Sequence, residues 1–527
     1  MRCAPLAHAD TWPLQDLNQL DMVRPITKWA RVCTTAARAG EYTAMGLAEA
    51  RNGRPGPAYL EVPLDVMFAD TPESTPITAA VAPAAPAPDP DALDAAAAAL
   101  AAAERPIAIV GSGGHWSHAG GALRELAETV GLPVFSINAG RGVLPDTHEW
   151  SFGATLPFGS AFGEALMADV VLVLGARIGF TLLNGAFLRH KTVIRVDIDP
   201  AETGRNLPGT HNLVSDVRVF CETLARGWEG GVSPARAAWG DKLREAAQRN
   251  RASLVESHAG AADKPVHPFH LVSAIEDIAG PDATLVADGG DVMTWSAMAF
   301  TARGPGRLLS ISTYLGCLGT GIPFALAAKL ARPDEPVFLL EGDGSFGLNA
   351  MEFDTAVRHN LPFVCIVGND GSWGMSRHGQ GLMFGYDQHV GVDLGVRPYH
   401  EMVRALGGYG EFVDDAGELR RSHRPRPGIR PARMHQRGHR PGDLLTGHPG
   451  HGQLRVVLNP RAVLNPQALR HRDPHRDRKG GPGHLHPGSA AASFAGVCPH
   501  DRGPCCGLPR HVAPPDRSWV RIGCVEP

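Results

Sequence analysis

Pro336-Val337-Phe338-Leu339-Leu340 runs directly into Glu341-Gly342-Asp343-Gly344-Ser345-Phe346, and Phe363-Val364-Cys365-Ile366-Val367 runs into Gly368-Asn369-Asp370. Each is a short apolar run followed at once by glycine and an oxygen-bearing side chain. Apolar runs of this length, alternating with helical patterns, read as strands of a parallel sheet buried on both faces. Loops at the carboxyl ends of such strands are where open α/β sheets bind ligands. Glycines there let backbone N–H groups approach a phosphate, and the dipole of a following helix adds to the attraction. Asp343 and Asp370 offer two side-chain oxygens to a Mg²⁺ that also bridges phosphates, the donor type a hard cation prefers. A Gly-Asp-Gly turn alone is common. A second oxygen ligand after the next buried strand is what argues against an ordinary turn.

The same pattern extends outward in both directions. Thr284-Leu285-Val286-Ala287 reads as a strand before Asp288-Gly289-Gly290, and Pro323 to Leu330 as an apolar helix. Upstream, Ile107-Ala108-Ile109-Val110, Pro133-Val134-Phe135, Val170 to Leu174 and Val193 to Asp199 read as strands, with a helix over Gly121 to Val130. Arg54 to Pro63 reads as a turn and a short strand closed by proline. The fold class is therefore α/β, with consecutive doubly wound parallel-sheet domains. The expected boundaries are a partial domain at 1–65, an Ala/Pro-rich linker at 66–92 and a central Rossmann-like domain at 93–228. A second linker with some helix follows at 229–265, then a third domain at 266–419 and a basic low-complexity tail at 420–527.

Composition sets the limits. The chain has 527 residues, 43% hydrophobic and 20% charged, which excludes a wholly disordered or fibrous protein. The net charge of −4 hides an asymmetry, because residues 420–527 hold 19 Lys/Arg against 6 Asp/Glu. That tail also carries 16 Pro, 14 Gly and 11 His, with one Phe and no Tyr, and is expected to be disordered. Nine cysteines with no CxxC pair make neither a disulfide nor a zinc framework. No apolar run reaches about 18 residues, so no membrane span is expected, and a cytoplasmic location is the default.

The residues Glu341 to Phe346 through Asn369-Asp370 resemble the cofactor motif of thiamine diphosphate-dependent enzymes of the acetolactate synthase-like and benzaldehyde lyase-like superfamily. Leu315-Gly316-Cys317-Leu318-Gly319-Thr320-Gly321 is similar to the loop that supports the bent cofactor. Gly140-Arg141-Gly142-Val143-Leu144-Pro145 and Val196-Asp197-Ile198-Asp199-Pro200 resemble the family's central domain. Leu14-Gln15, Pro25 to Trp29 and Arg54 to Pro57 resemble the second half of its first, pyrimidine-type domain. The likeness covers about residues 10–419.

The resemblance implies thiamine diphosphate and Mg²⁺ as cofactors and a carbon–carbon bond lyase or carboligase acting on 2-keto acids or related carbonyl compounds. It implies Asp343 and Asp370 as Mg²⁺ ligands, with a backbone carbonyl from Ser372. Gly344 and Ser345 would contact the diphosphate, Gly316 the aminopyrimidine, and Leu318 would be the apolar wedge behind the bend. Gly374 and Met375 match the cofactor-contacting pair that follows the metal loop. Gln15 matches a glutamine that faces the reacting carbon from a neighbouring subunit, so a homodimer or homotetramer is expected.

Three departures qualify this. Asp370 stands where the family usually has asparagine. The family's activating glutamate precedes anything that matches residue 1, and Glu41 and Glu49 fall in helical sequence. An N-terminally truncated chain, inactive as written, is the expectation. The Arg/Pro/His/Gly composition after Leu419 suggests a shifted reading frame. A rival reading of that tail, a basic arm for nucleic acid, is disfavoured by the near absence of aromatics. A non-catalytic cofactor-binding homologue is the other alternative.

Weaker signals bear on specificity. Gly111-Ser112-Gly113-Gly114 after a strand hints at a dinucleotide such as FAD but lacks the full fingerprint. Cys317 and Cys365 are expected in the core. His378 is a candidate proton-transfer residue facing substrate. Gly379 replaces a tryptophan of the biosynthetic acetolactate synthases, and Ser372-Trp373-Gly374 is similar to benzaldehyde lyase. Both leave a bulkier aldehyde, hydroxyketone or 2-hydroxyacyl-CoA substrate open.

Overall fold

The computed structural model describes residues 4–8, 11–71, 84–155, 160–260, 266–310, 315–385, 387–415, 418 and, as backbone, 455–460. Residues 72–83 of the first linker, and the tail apart from 455–460, lie outside the described residues. No described helix is long and apolar enough to cross a membrane.

Near the N-terminus, strands β1 (Trp29–Val32) and β2 (Ala58–Glu61) pair in parallel through the helix Ala39–Arg51, which carries Glu41 and Glu49. Glu61, at the end of β2, is buried and accepts a hydrogen bond from the Tyr59 hydroxyl at 3.4 Å.

The central sheet holds β3 (Pro106–Val110), β4 (Val134–Ser136), β5 (Ser151–Ala154), β6 (Val170–Leu174), β7 (Thr192–Asp197) and β8 (His211–Val214). Its order is β5-β4-β3-β6-β7-β8, all parallel. That is the doubly wound order, with the chain starting in the middle and winding outward both ways. Every residue of β3 and β6 is buried, as an apolar run covered by helices on both faces requires. The helix Pro90–Ala101 enters the unit with Asp89 as its N-cap, whose carboxylate accepts the Ala92 N–H at 3.0 Å. Such a cap contributes about 0.5–2 kcal/mol.

The glycines after β3 have a packing role. A Cβ on Gly111 would lie 2.6 Å from the Gly175 carbonyl oxygen, and one on Gly113 2.6 Å from the Gly175 Cα. Their freedom is spent on letting the loops after β3 and β6 touch backbone to backbone. The FAD hint gains nothing from this geometry.

The third sheet holds β9 (Thr284–Asp288), β10 (Leu308–Ser310), β11 (Val337–Gly342), β12 (Val364–Asn369), β13 (Tyr409–Phe412) and β14 (Arg455–Pro460). It too is parallel throughout, in the order β10-β9-β11-β12-β14-β13. The Gly140–Pro145 motif docks the central unit onto this one. Arg141 donates to Asp146 at 2.7 Å and to the Phe300 carbonyl at 3.1 Å, while Asp146 accepts the Ala302 N–H at 2.8 Å. Gly142 needs its left-handed φ of +81° here, and a Cβ would meet the Gly304 carbonyl at 2.2 Å.

Three expectations are corrected. The stretch 229–265, read as a linker with some helix, contains a helix of 25 residues, Pro234–His258. It buries Trp239, Leu243 and Ala246 against the central core, and the Trp239 indole donates to the Pro106 carbonyl at 3.1 Å. Its apolar face is one residue wide per turn, too thin to stand out in an alanine-rich polar sequence. Within the tail expected to be disordered, Arg455–Pro460 forms β14 between β12 and β13. Val456-Val457-Leu458 is a short apolar run, led by two β-branched valines, that the overall basic composition conceals. Cys317, expected in the core, is exposed. It sits between Gly316 and Gly319, both with positive φ, in a loop that turns outward. Cys365 is buried as expected.

Candidate active site

In the order β10-β9-β11 the chain reverses its direction of winding between β9 and β11, the crevice where open parallel sheets bind ligands. The loops after β9, β11 and β12 line one cleft there. From the expected residues it gathers Asp343, Gly344, Ser345, Asp370, Ser372, Gly374, Met375 and Leu318. Residues up to 57 positions apart meet because each follows a strand of one sheet or the helix beside it.

Two acids dominate the polar end. Asp343 is 2% exposed; its Oδ1 accepts the Gly344 N–H at 2.9 Å, while Oδ2 is buried without a hydrogen-bond partner among the described residues. Burial, and secondly the Asp370 charge, push its carboxyl up to about 7. Asp370 is also pushed up, mainly by burial, although Ser372 donates both its N–H (3.0 Å) and its hydroxyl (3.1 Å) to it. A buried carboxylate raised by the charge of Asp370, which is itself partly buried and raised by Asp291, marks a site short of positive charge. An orphaned buried oxygen beside a second acid is the donor set that a hard divalent cation fits. Among the described residues, no group of three or more His, Cys, Asp or Glu side chains is arranged to hold a metal ion.

Glycine lets the loops close on one another. A Cβ on Gly344 would lie 2.4 Å from a ring carbon of Trp373, so the indole packs directly on that backbone. A Cβ on Gly374 would stand 2.4 Å from Asp291 Oδ2 and 2.8 Å from Asp370 Oδ2. Ser345 is buried, and Met375 is half exposed at the mouth.

The loop Leu315–Thr320 is pinned at its far end. Asp288, fully buried at the end of β9, accepts the N–H of Gly321, where the helix Gly321–Ala331 begins, at 2.7 Å. The Asn349 amide donates to the Gly319 carbonyl. Leu318 reaches the cleft, whereas Gly316 (φ +67°) is exposed and outside its lining.

Gln15 is exposed, at a φ of +61°, on an N-terminal surface that also exposes Trp12, Leu14 and Ile26. It does not line the cleft of its own chain. His378 is also absent from the lining and stands behind Asp291, its Nε2 3.1 Å from Asp291 Oδ2.

Sequence reasoning missed four participants. Asp291 was passed over in Asp288-Gly289-Gly290-Asp291, although the glycine pair after a strand was the available signal. Asp288 and Trp373 gave no sign of their partners. Glu341, next to the glycine turn, is wholly buried and accepts the Cys365 thiol at 3.2 Å. Burial pushes its carboxyl up to about 8, against the Cys365 hydrogen bond and with the nearby Asp288 charge.

Comparison with known proteins gives the same outline. Residues 93–224 match the thiamine pyrophosphate enzyme central domain, and residues 288–424 match the thiamine pyrophosphate enzyme C-terminal TPP binding domain. The chain is 34% identical over 424 residues to the acetolactate synthase large subunit IlvG of Mycobacterium tuberculosis, covering 79% of this chain and 74% of the relative. It is 30% identical over 463 residues to a 2-hydroxyacyl-CoA lyase of Oryza sativa subsp. japonica (79% and 78% covered). It is 29% identical over 422 residues to the oxalyl-CoA decarboxylase of Escherichia coli (77% and 72% covered).

Proposed function

The chain belongs to the thiamine pyrophosphate enzyme family, and we propose that its cleft holds thiamine diphosphate with Mg²⁺ for carbon–carbon bond cleavage or formation next to a carbonyl. The observation that carries this reading is the pair of buried Asp343, with its orphaned oxygen, and partly buried Asp370, in one cleft at the switch point of a parallel sheet. When bound, the cofactor supplies a nucleophilic carbon and an electron sink. The chain's own groups bind and orient. Asp343, Asp370 and the Ser372 carbonyl would hold the cation, with phosphate oxygens completing its shell. Gly344 and Ser345 would face the diphosphate. Leu318, fixed through Asp288 and Gly321, offers an apolar surface against which the rings can bend, and Met375 and Trp373 keep water from the chemistry.

The substrate is a small carbonyl compound, either a 2-keto acid or a 2-hydroxyacyl thioester. The thioester is favoured by Gly379, where a Cβ would meet nothing within 4 Å, leaving room beside the helix Gly374–Phe384. Gln15 would act on a neighbouring copy. The exposed Trp12, Leu14 and Ile26 around it support an oligomer, because apolar patches of this kind mark interfaces. Product analysis tests the reaction class. With cofactor and Mg²⁺, the account expects aldehyde release from a 2-hydroxyacyl-CoA or acetolactate from pyruvate. No cofactor-dependent product from either would contradict it.

A further inference from the structure

Three carboxylates reach the polar end of the cleft, and a cation held by Asp343 and Asp370 accounts for two. Asp291, the first residue of the helix Asp291–Ala299, is the third. It and Asp370 crowd the same point beside Gly374 from two different loops. A further buried negative charge would oppose a diphosphate unless something answers it. His378, from the helix Gly374–Phe384, does so at 3.1 Å, and both side chains of the pair are only 13–14% exposed.

We propose that the Asp291–His378 ion pair is the charge-compensating element of the cofactor cleft, with His378 a positioning residue that acts through Asp291. The inference rests on the cofactor reading above. The charged groups facing the imidazole are Asp291 on the neighbouring helix, Asp370 on the loop after β12 and Arg377 on its own helix. The hydrogen bond to Asp291 raises its pKa above the ordinary imidazole range, against burial and Arg377. The pair's contribution is therefore complete below about 6.5 and is lost as pH rises through the higher folded value. With the imidazole neutral, Asp291 stands as an unanswered charge where the diphosphate must enter.

The test is calorimetric titration of Mg²⁺–thiamine diphosphate into the full-length chain and its variants at pH 7. H378Q should weaken binding at least tenfold, and D291N/H378Q should recover to within about threefold of the parent chain. Relative to that of the double variant, in which the other groups of the cleft still titrate, the parent's affinity should fall towards pH 9. The melting temperatures of the cofactor-free variants give a readout independent of binding, with H378Q lowered and the double variant restored. If the parent binds and H378Q binds equally well, compensation is wrong. If the double variant is as weak as H378Q, the pair merely ties two helices together and the proposal falls. A parent chain that binds nothing in Mg²⁺ overturns the cofactor reading itself, and this inference with it.

Discussion

The indole of Trp373 packs against Gly344, so close that a ring carbon is 2.4 Å from where a Cβ on that glycine would stand. The contact joins the loop after β11 to the loop after β12, and so fixes the distance between the two acids, Asp343 and Asp370, that those loops carry. It also leaves the Gly344 backbone bare towards the cleft.

Gly344→Ala should therefore damage cofactor binding more than folding. Overpacking of this kind typically costs about 1–3 kcal/mol, here by pushing Trp373 and the Asp370 loop away. Affinity for Mg²⁺–thiamine diphosphate should fall by tenfold or more, and Trp373→Ala in the same chain should recover part of it. Titration calorimetry of the single and double variants checks this. Unchanged affinity in the single variant would show that the indole does not constrain the loop.

Asp343 should make the cofactor-free protein less stable. Its folded carboxyl is pushed up to about 7, well above the ordinary ~3.9. The folded state thus holds a proton that the unfolded chain releases, so stability is greatest below the ordinary value and declines as pH rises through about 7. Asp343→Asn should melt higher than the parent at pH 8, by about 2–4 °C for each kcal/mol relieved, with the gap closing towards pH 5. The same variant should lose cation-dependent cofactor binding. A lower melting temperature at pH 8 would contradict the assignment of Asp343 as a strained ligand.

Glu341 is expected to be neutral at pH 7, since burial pushes it up to about 8. Glu341→Gln keeps an acceptor for the Cys365 thiol and should leave stability at pH 5 and cofactor affinity at pH 7 nearly unchanged. The unfolded chain releases this proton from about 4.3 upward, so the parent loses stability between there and about 8. The variant should already be the more stable at pH 7, and by the full amount above pH 8. Melting curves at pH 5, 7 and 9 decide the point. Loss of stability in the variant at all three values would mean that the charged form is the native one.

Asp288 sets the start of the helix behind Leu318. Asp288→Ala frees the Gly321 N–H and should lower stability by about 1–3 kcal/mol for the buried donor left unmet. Cofactor affinity should fall with it, because the Leu318 loop loses its anchor. Asp288→Asn retains an acceptor and should restore most of both. Equal loss in the two variants would assign the effect to charge instead.

Much of this was legible beforehand for a physical reason. Strands such as Ile107–Val110 and Val170–Leu174 are buried on both faces, so their sequences are unbroken apolar runs. Gly342-Asp343-Gly344 and Asn369-Asp370 mark the strand ends, because close backbone approach demands glycine and the proposed cation would demand oxygen donors. The helix Pro234–His258 was hidden because Trp239, Leu243 and Ala246 make a narrow apolar stripe among polar neighbours. Arg455–Pro460 was masked by the composition around it. The pairing of Asp291 with His378 exists only once two helices have packed, as does the approach of Trp373 to Gly344, and nothing local in either sequence announces it.

The central claim is tested most directly by titrating thiamine diphosphate into the full-length chain by calorimetry, once with Mg²⁺ and once with the cation chelated. The account predicts saturable binding with Mg²⁺, none without it, and none in an Asp343→Ala, Asp370→Ala double variant. Absence of binding in Mg²⁺, or binding that survives chelation and both substitutions, would contradict it.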